Sequence, residues 1–86
     1  MNNQIRLIGI LIKDRQAAAA KVQSVLTEFG CIIKTRLGMH DTSDLQCSRH
    51  GLVILELNGS IEEMDKLEKA LGEIQGIESK VIKFDW

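Results

Sequence analysis

The residues of this chain best suited to chemistry lie in one polar stretch, GMHDTSDLQCSRHG, which runs from Gly38 to Gly51. It contains both histidines of the 86-residue chain and one of its two cysteines. His40, Cys47 and His50 carry nitrogen and sulfur donors of the kind that bind zinc, nickel or iron, and the Cys-x-x-His spacing suits two ligands on one turn. A divalent transition metal, nickel or zinc, is therefore a candidate ligand, with a second chain completing its coordination shell.

The same stretch is also typical of a solvated connection between two strands. A tight divalent site more often contains a short-spaced pair such as Cys-x-x-Cys, and this stretch has a single cysteine. We take a polar connection as the default interpretation and metal binding by the 39–50 loop as the alternative. The sequence requires no cofactor.

Composition limits the classes of function. A chain of 9.6 kDa forms one domain, residues 1–86 with a core over about 5–84. Its net charge is −1 and its basic residues are dispersed, which argues against direct nucleic-acid binding. The apolar segment 5–12 is too short to span a bilayer and lacks the features of a signal peptide. Two cysteines do not form a secreted disulfide framework, so we expect a cytoplasmic protein without a membrane partner.

Hydrophobic periodicity predicts the element order βαββαβ. Four segments have the composition of strands: IRLIGILI, CIIKTRLG, GLVILELN and IESKVIKF. A helix rich in alanine ends at Gly30, and a second helix begins with a capping box at Ser60 and Glu63 and ends at Gly76. Cys31, at the predicted start of the second strand, is expected to be a small buried residue. This order predicts an α+β ferredoxin-like sandwich, with two helices on one face of a four-stranded antiparallel sheet.

The first and third strands are apolar at nearly every position, as the central strands of such a sheet should be. Two helices can cover only one face of the sheet, so half of these apolar side chains would face water in a monomer. The exposed set is either Ile8, Ile10, Val53 and Leu55 or their alternating neighbours. An aliphatic patch of this size usually marks an interface, which predicts a homodimer or homotetramer formed through the open face or through edge strands.

A second candidate site lies where the first strand meets the first helix. Asp14 and Arg15 occupy this junction, and Arg36 lies on an edge strand. Their side chains could contact a small anionic or amino-acid effector. The alternative is that Asp14 caps the helix and that the two arginines are solvated charges.

Three segments together resemble a known family: GILIKDRQAAAAKVQSVL, the Arg36-Leu37-Gly38 triplet, and LGEIQGIESKV. They are similar to the small ACT-like proteins named after a regulatory role in the iron-only hydrogenase system, and the resemblance extends from about Ile5 to Lys83. It implies an ACT-like ferredoxin fold in a dimer, related in architecture to the regulatory domain of the nickel-responsive repressor, and no established ligand. The chain departs from the family in the longer polar segment after Gly38.

The sequence favours a non-enzymatic function. It has no Gly-x-Ser-x-Gly, phosphate loop or HExxH motif, and neither histidine has an evident nucleophile with an orienting acid. The predicted function is a small regulatory or sensor module that acts as a homo-oligomer, with a small-molecule effector bound at the subunit interface and a protein partner that responds. The alternatives are a metal-binding protein and a purely structural oligomerisation module.

Overall fold

The computed structural model describes residues 4–38 and 51–85 of the chain. Its strands form one antiparallel sheet in the order β2-β3-β1-β4, so the first and third strands are central as predicted. This is the predicted ferredoxin-like arrangement. The elements are β1 (Gln4–Ile12), α1 (Arg15–Glu28), a 3-10 helix (Gly30–Ile32), β2 (Ile33–Gly38), β3 (Gly51–Leu57), α2 (Ile61–Gly72) and β4 (Ile77–Asp85).

Both α-helices begin with the predicted caps. The Asp14 side chain accepts a hydrogen bond from the Gln16 amide at 3.1 Å, and the Ser60 hydroxyl accepts one from the Glu63 amide at 3.1 Å. The Glu63 carboxylate in turn accepts from the Ser60 hydroxyl at 3.3 Å. These side chains satisfy amides that have no partner within the first turn of a helix.

Two predicted boundaries were wrong by several residues. α2 ends at Gly72, and Gly76 instead occupies the turn into β4 with a φ of 90°, a conformation that glycine adopts without a steric penalty. The chain after α1 forms a 3-10 helix before β2 begins at Ile33. Cys31 lies in this helix and is exposed, so the prediction of a buried cysteine was also wrong. Successive side chains of a 3-10 helix point about 120° apart, so Ile32 packs into the core while Cys31 faces solvent.

The core lies between the two helices and one face of the sheet. Ile8, Ile10, Val53 and Leu55 all face the helices, which decides which set of strand residues is covered. The apolar stripes of the two helices supply the other side, with Val25, Phe29 and Ile74 at its margin. The buried helical residues are Ala18, Val22, Leu26, Met64, Leu67 and Leu71.

Arg6 is the one charged residue that the described part of the chain buries in this layer, with 2% of it exposed. Its guanidinium donates to Asp65 at 2.7 Å and to Glu68, both on α2, and to the Gln4 side chain at 2.5 Å. A buried guanidinium is tolerated only when its charge and its N–H groups have partners. The cluster therefore fixes α2 over the amino-terminal half of β1.

We expect Glu68→Ala to lower the free energy of unfolding by about 2 kcal/mol, because it removes a charged partner from a buried cation. Asp65→Ala should cost less, since the Asp65 side chain is 59% exposed and that of Glu68 only 25%. The double variant Arg6→Met/Glu68→Ala should recover most of the loss, because methionine fills the space without a charge. Urea unfolding of the three variants measures these differences, and equal losses for Asp65→Ala and Glu68→Ala would contradict the assignment.

Candidate functional site

The face of the sheet opposite the helices carries a continuous group of apolar side chains. On β1, Leu7 and Leu11 point to this open face because their neighbours Ile8 and Ile10 point into the core. The register pairs Leu7 with Ile82, and Leu11 with Leu52. Cross-strand partners lie on the same face, so the patch extends over the central strands to both edges. We define the open face by its apolar residues: Ile5, Leu7, Leu11, Leu37, Leu52, Ile54, Ile82 and Phe84.

Several of these side chains are exposed to an unusual degree for their size. Leu37 is 61% exposed, Ile82 55% and Phe84 52%, while Ile54, on a central strand, is 40% exposed. Single exposed apolar residues are common on protein surfaces, but a contiguous patch of this extent is typical of a binding surface. The open face is therefore the main candidate for an interaction.

Charged and polar side chains surround the patch. Glu56 accepts a hydrogen bond from the Thr35 hydroxyl at 3.2 Å and lies 3.8 Å from the Lys34 ammonium. On the opposite edge, Glu78 lies 3.7 Å from both the Lys13 and the Lys80 ammonium groups. An apolar centre with a polar margin of both signs is the usual composition of a protein interface.

Asp14 and Arg15 lie together at one end of the sheet. There the Lys13 amide donates to the Gly76 carbonyl at 2.8 Å, which joins the end of β1 to the start of β4. The Arg15 side chain is half-buried, with its Cδ atom 3.6 Å from the position that a Cβ would occupy at Gly51. Asp14 acts as the cap of α1, the role that the alternative interpretation gave it.

Arg36 lies elsewhere on the sheet. Its guanidinium donates to the Gln23 side chain at 2.5 Å, against the middle of α1. In register Arg36 is paired with Leu55, four residues along β3 from Gly51, which is about 13 Å. The three candidate effector residues thus divide into a pair at the end of the sheet and a single arginine beside the helix.

The candidate metal ligands His40, Cys47 and His50 lie outside the described residues. Within residues 4–38 and 51–85, no three side chains of the metal-binding types come close enough to hold an ion. Metal binding by the 39–50 loop therefore remains a prediction from the sequence.

Sequence reasoning identified the central strands of the open face but missed its edges. The last apolar residues of the edge strand β4, Ile82 and Phe84, also lie on the open face, whereas Ile77 and Val81 turn toward the helices. The sequence of β4 indicates apolar residues on both faces of the sheet, because Val81 and Ile82 are adjacent and adjacent strand residues point to opposite faces. The burial of Arg6 could not be predicted from local spacing, because its two carboxylate partners lie about sixty residues away in sequence.

A comparison with family models matches residues 4–81 to the TM1266-like family, described as "Iron-only hydrogenase system regulator, putative". A comparison with curated proteins finds no match. Among solved structures, the uncharacterized protein TM1266 from Thermotoga maritima superposes with a TM-score of 0.80 at 21% identity, covering 98% of this chain and 99% of that one.

Two more distant structures share the fold. CPII, a nitrogen regulatory PII-like protein from Thiomonas intermedia solved with ADP, AMP and bicarbonate, has a TM-score of 0.57 at 11% identity over 100% of this chain and 93% of that one. A formyltetrahydrofolate deformylase from Pseudomonas putida has a TM-score of 0.56 at 11% identity, over 90% of this chain but 28% of the enzyme. At these identities the likeness supports the fold alone. Neither helix in residues 4–38 and 51–85 is long and apolar enough to cross a membrane.

Two substitutions separate the capping role of Asp14 from the effect of its negative charge. We expect Asp14→Ala to lower the free energy of unfolding by about 1 kcal/mol, because the Gln16 amide loses its acceptor. Asp14→Ser should retain stability to within a few tenths of a kcal/mol, since a serine hydroxyl also caps a helix. Urea unfolding compares the two, and equal losses for both variants would show that the carboxylate charge matters more than the cap.

Proposed function

The chain belongs to the TM1266-like family, and from that premise we propose that it is a small non-enzymatic regulatory module that acts as a homo-oligomer, either a dimer or a tetramer. An effector bound where the subunits meet would change how their sheets pack. A partner protein would respond to that change. The description of the family as a regulator supports the non-enzymatic assignment.

The observation that carries this proposal is the uncovered open face. Four strands about 4.8 Å apart and seven residues at about 3.3 Å each give a flat area of roughly 440 Å². Burial of this face on two copies would remove about 900 Å² from water before side-chain relief is counted, a little below the roughly 1,000 Å² that a specific interface should exceed. Because the apolar part is contiguous, an oligomer formed through this face buries leucine and isoleucine side chains that a monomer leaves in water.

The effector site is proposed for the end of the sheet at Asp14 and Arg15. This end borders the open face through Lys13, which pairs with Glu78 at its margin, whereas the Arg15 stem lies over Gly51 on the helix side of the sheet. A ligand held there would contact the edge of a subunit interface formed through the open face. Arg36, held by Gln23 beside α1, would contribute only through a change of rotamer.

We expect Ile54→Arg to raise the dissociation constant of the oligomer by about 100-fold or more, because it places an unpaired charge at the centre of a desolvated face. Ile61→Arg is the matched control, since Ile61 is 41% exposed against 40% for Ile54 but lies at the start of α2. Analytical ultracentrifugation over a concentration series measures both variants. Equal dissociation constants for the two variants, or a wild-type protein that is monomeric at every concentration, would contradict the proposal.

The wild-type protein can also be used to test the two ligand hypotheses, effector binding and metal binding. Native mass spectrometry of the wild-type protein with a metabolite pool should reveal a bound adduct. The Arg15→Ala variant should keep its fold but lose this adduct. Addition of nickel or zinc tests the alternative, in which a stoichiometric metal is lost from the His40→Ala, Cys47→Ala and His50→Ala variants. An oligomer that binds neither class of ligand would leave a structural oligomerisation module as the function.

A further inference from the structure

Gly9 occupies the centre of the open face. It lies in the middle of β1, a central strand, between Leu7 and Leu11 on the same face. Its cross-strand partners are Ile54 on β3 and Lys80 on β4. Apolar side chains therefore border this position on three sides and Lys80 on the fourth.

Among residues 4–38 and 51–85, nothing requires a glycine at this position. A Cβ built on Gly9 meets no atom within 4 Å, and among the described residues Gly76 is the one with a positive φ. By contrast, a Cβ at Gly59 would come within 2.7 Å of Ile32 Cγ2, so that glycine has a steric reason. Glycine weakens the interior of a strand and often marks a place where another molecule approaches the backbone.

We infer that the open face packs on the open face of a second copy of this chain, and that Gly9 is the point of closest approach between the two sheets. This inference rests on the proposed homo-oligomer and specifies its contact. The second copy fills the space that a Cβ would occupy, which lets the surrounding Leu7, Leu11 and Ile54 side chains interdigitate with their counterparts. Close packing of this kind gives an interface its specificity.

The charges at the margin fit a second copy. Glu56 lies on the β3 side of β1 and Lys80 on the β4 side. A two-fold axis parallel to β1 places β4 of one copy over β3 of the other, so Lys80 approaches the side that carries Glu56. Because this axis preserves the level along the strands, Lys80 lies over Ile54 of the other copy, two residues or about 7 Å from Glu56, and its long side chain can extend to that carboxylate at each margin.

Gly9→Val tests this inference, because valine favours a strand but fills the space above the backbone. We expect it to raise the dissociation constant of the oligomer at least about tenfold. Gly38→Val is the matched control, since Gly38 is also a strand glycine whose Cβ would meet nothing within 4 Å, but it pairs with Val53 on the helix side of the sheet. This control should leave the dissociation constant unchanged.

The effect of Gly9→Val on folding is measured in a variant whose subunits no longer associate. Ile82→Glu places a carboxylate on the open face next to Lys80, and is expected to separate the subunits without disturbing the core. In that background Gly9→Val should keep or raise the melting temperature, because valine favours a strand and a Cβ at this position meets no atom within 4 Å. A lower melting temperature for both Gly9→Val and the milder Gly9→Ala would show that the glycine serves the monomer, and would overturn the inference.

The outcomes separate this inference from the proposed function. If Ile54→Arg dissociates the oligomer and Gly9→Val does not, the open face is the interface and the role of Gly9 is wrong. If the wild-type protein is an oligomer that neither variant weakens, the contact lies on another surface and the inference fails while self-association stands. A wild-type protein that remains monomeric at every concentration would overturn both.

Discussion

The structure depends on a mismatch between an apolar sheet and its cover. The central strands carry aliphatic residues on both faces, and the two helices can pack on only one of them. Burial of Ile8, Ile10 and Leu55 against α1 and α2 supplies the hydrophobic stabilisation of the single chain. The same alternation places Leu7, Leu11 and Ile54 on the other face, where the described part of the chain offers no covering layer. The proposed oligomer follows from this geometry.

The covered face is fixed by a polar contact as well as by packing. Arg6 lies beneath α2 and is paired with Asp65 and Glu68, so α2 cannot rotate about its axis without leaving a buried charge unpaired. Such a cluster adds little net stability, because the cost of removing its charges from water offsets their attraction. The helix layer is thereby held in one position on the sheet. The opposite, open face has Ile82 and Phe84 exposed at its edge.

The sequence was sufficient for features that depend on local pattern. Helical stripes, the caps at Asp14 and Ser60, and the element order all follow from spacing within a few residues, and all are confirmed. Features that depend on long-range register were missed or left open. Which alternating set the helices cover, and which residues the edge strands add to the open face, are settled only by pairing between distant strands. The buried role of Arg6 likewise depends on residues in the second half of the chain.

The most direct test of the central claim is an isotope-filtered nuclear Overhauser experiment on a mixture of labelled and unlabelled wild-type protein. It detects contacts between methyl groups on different copies and needs no substitution. If the open faces of two copies pack together, we expect intermolecular signals among the methyl groups of Leu7, Ile54 and Ile82, which lie on the open face. Intermolecular signals confined to Ile61 and other residues of the helix layer would contradict it, as would their complete absence at millimolar concentration.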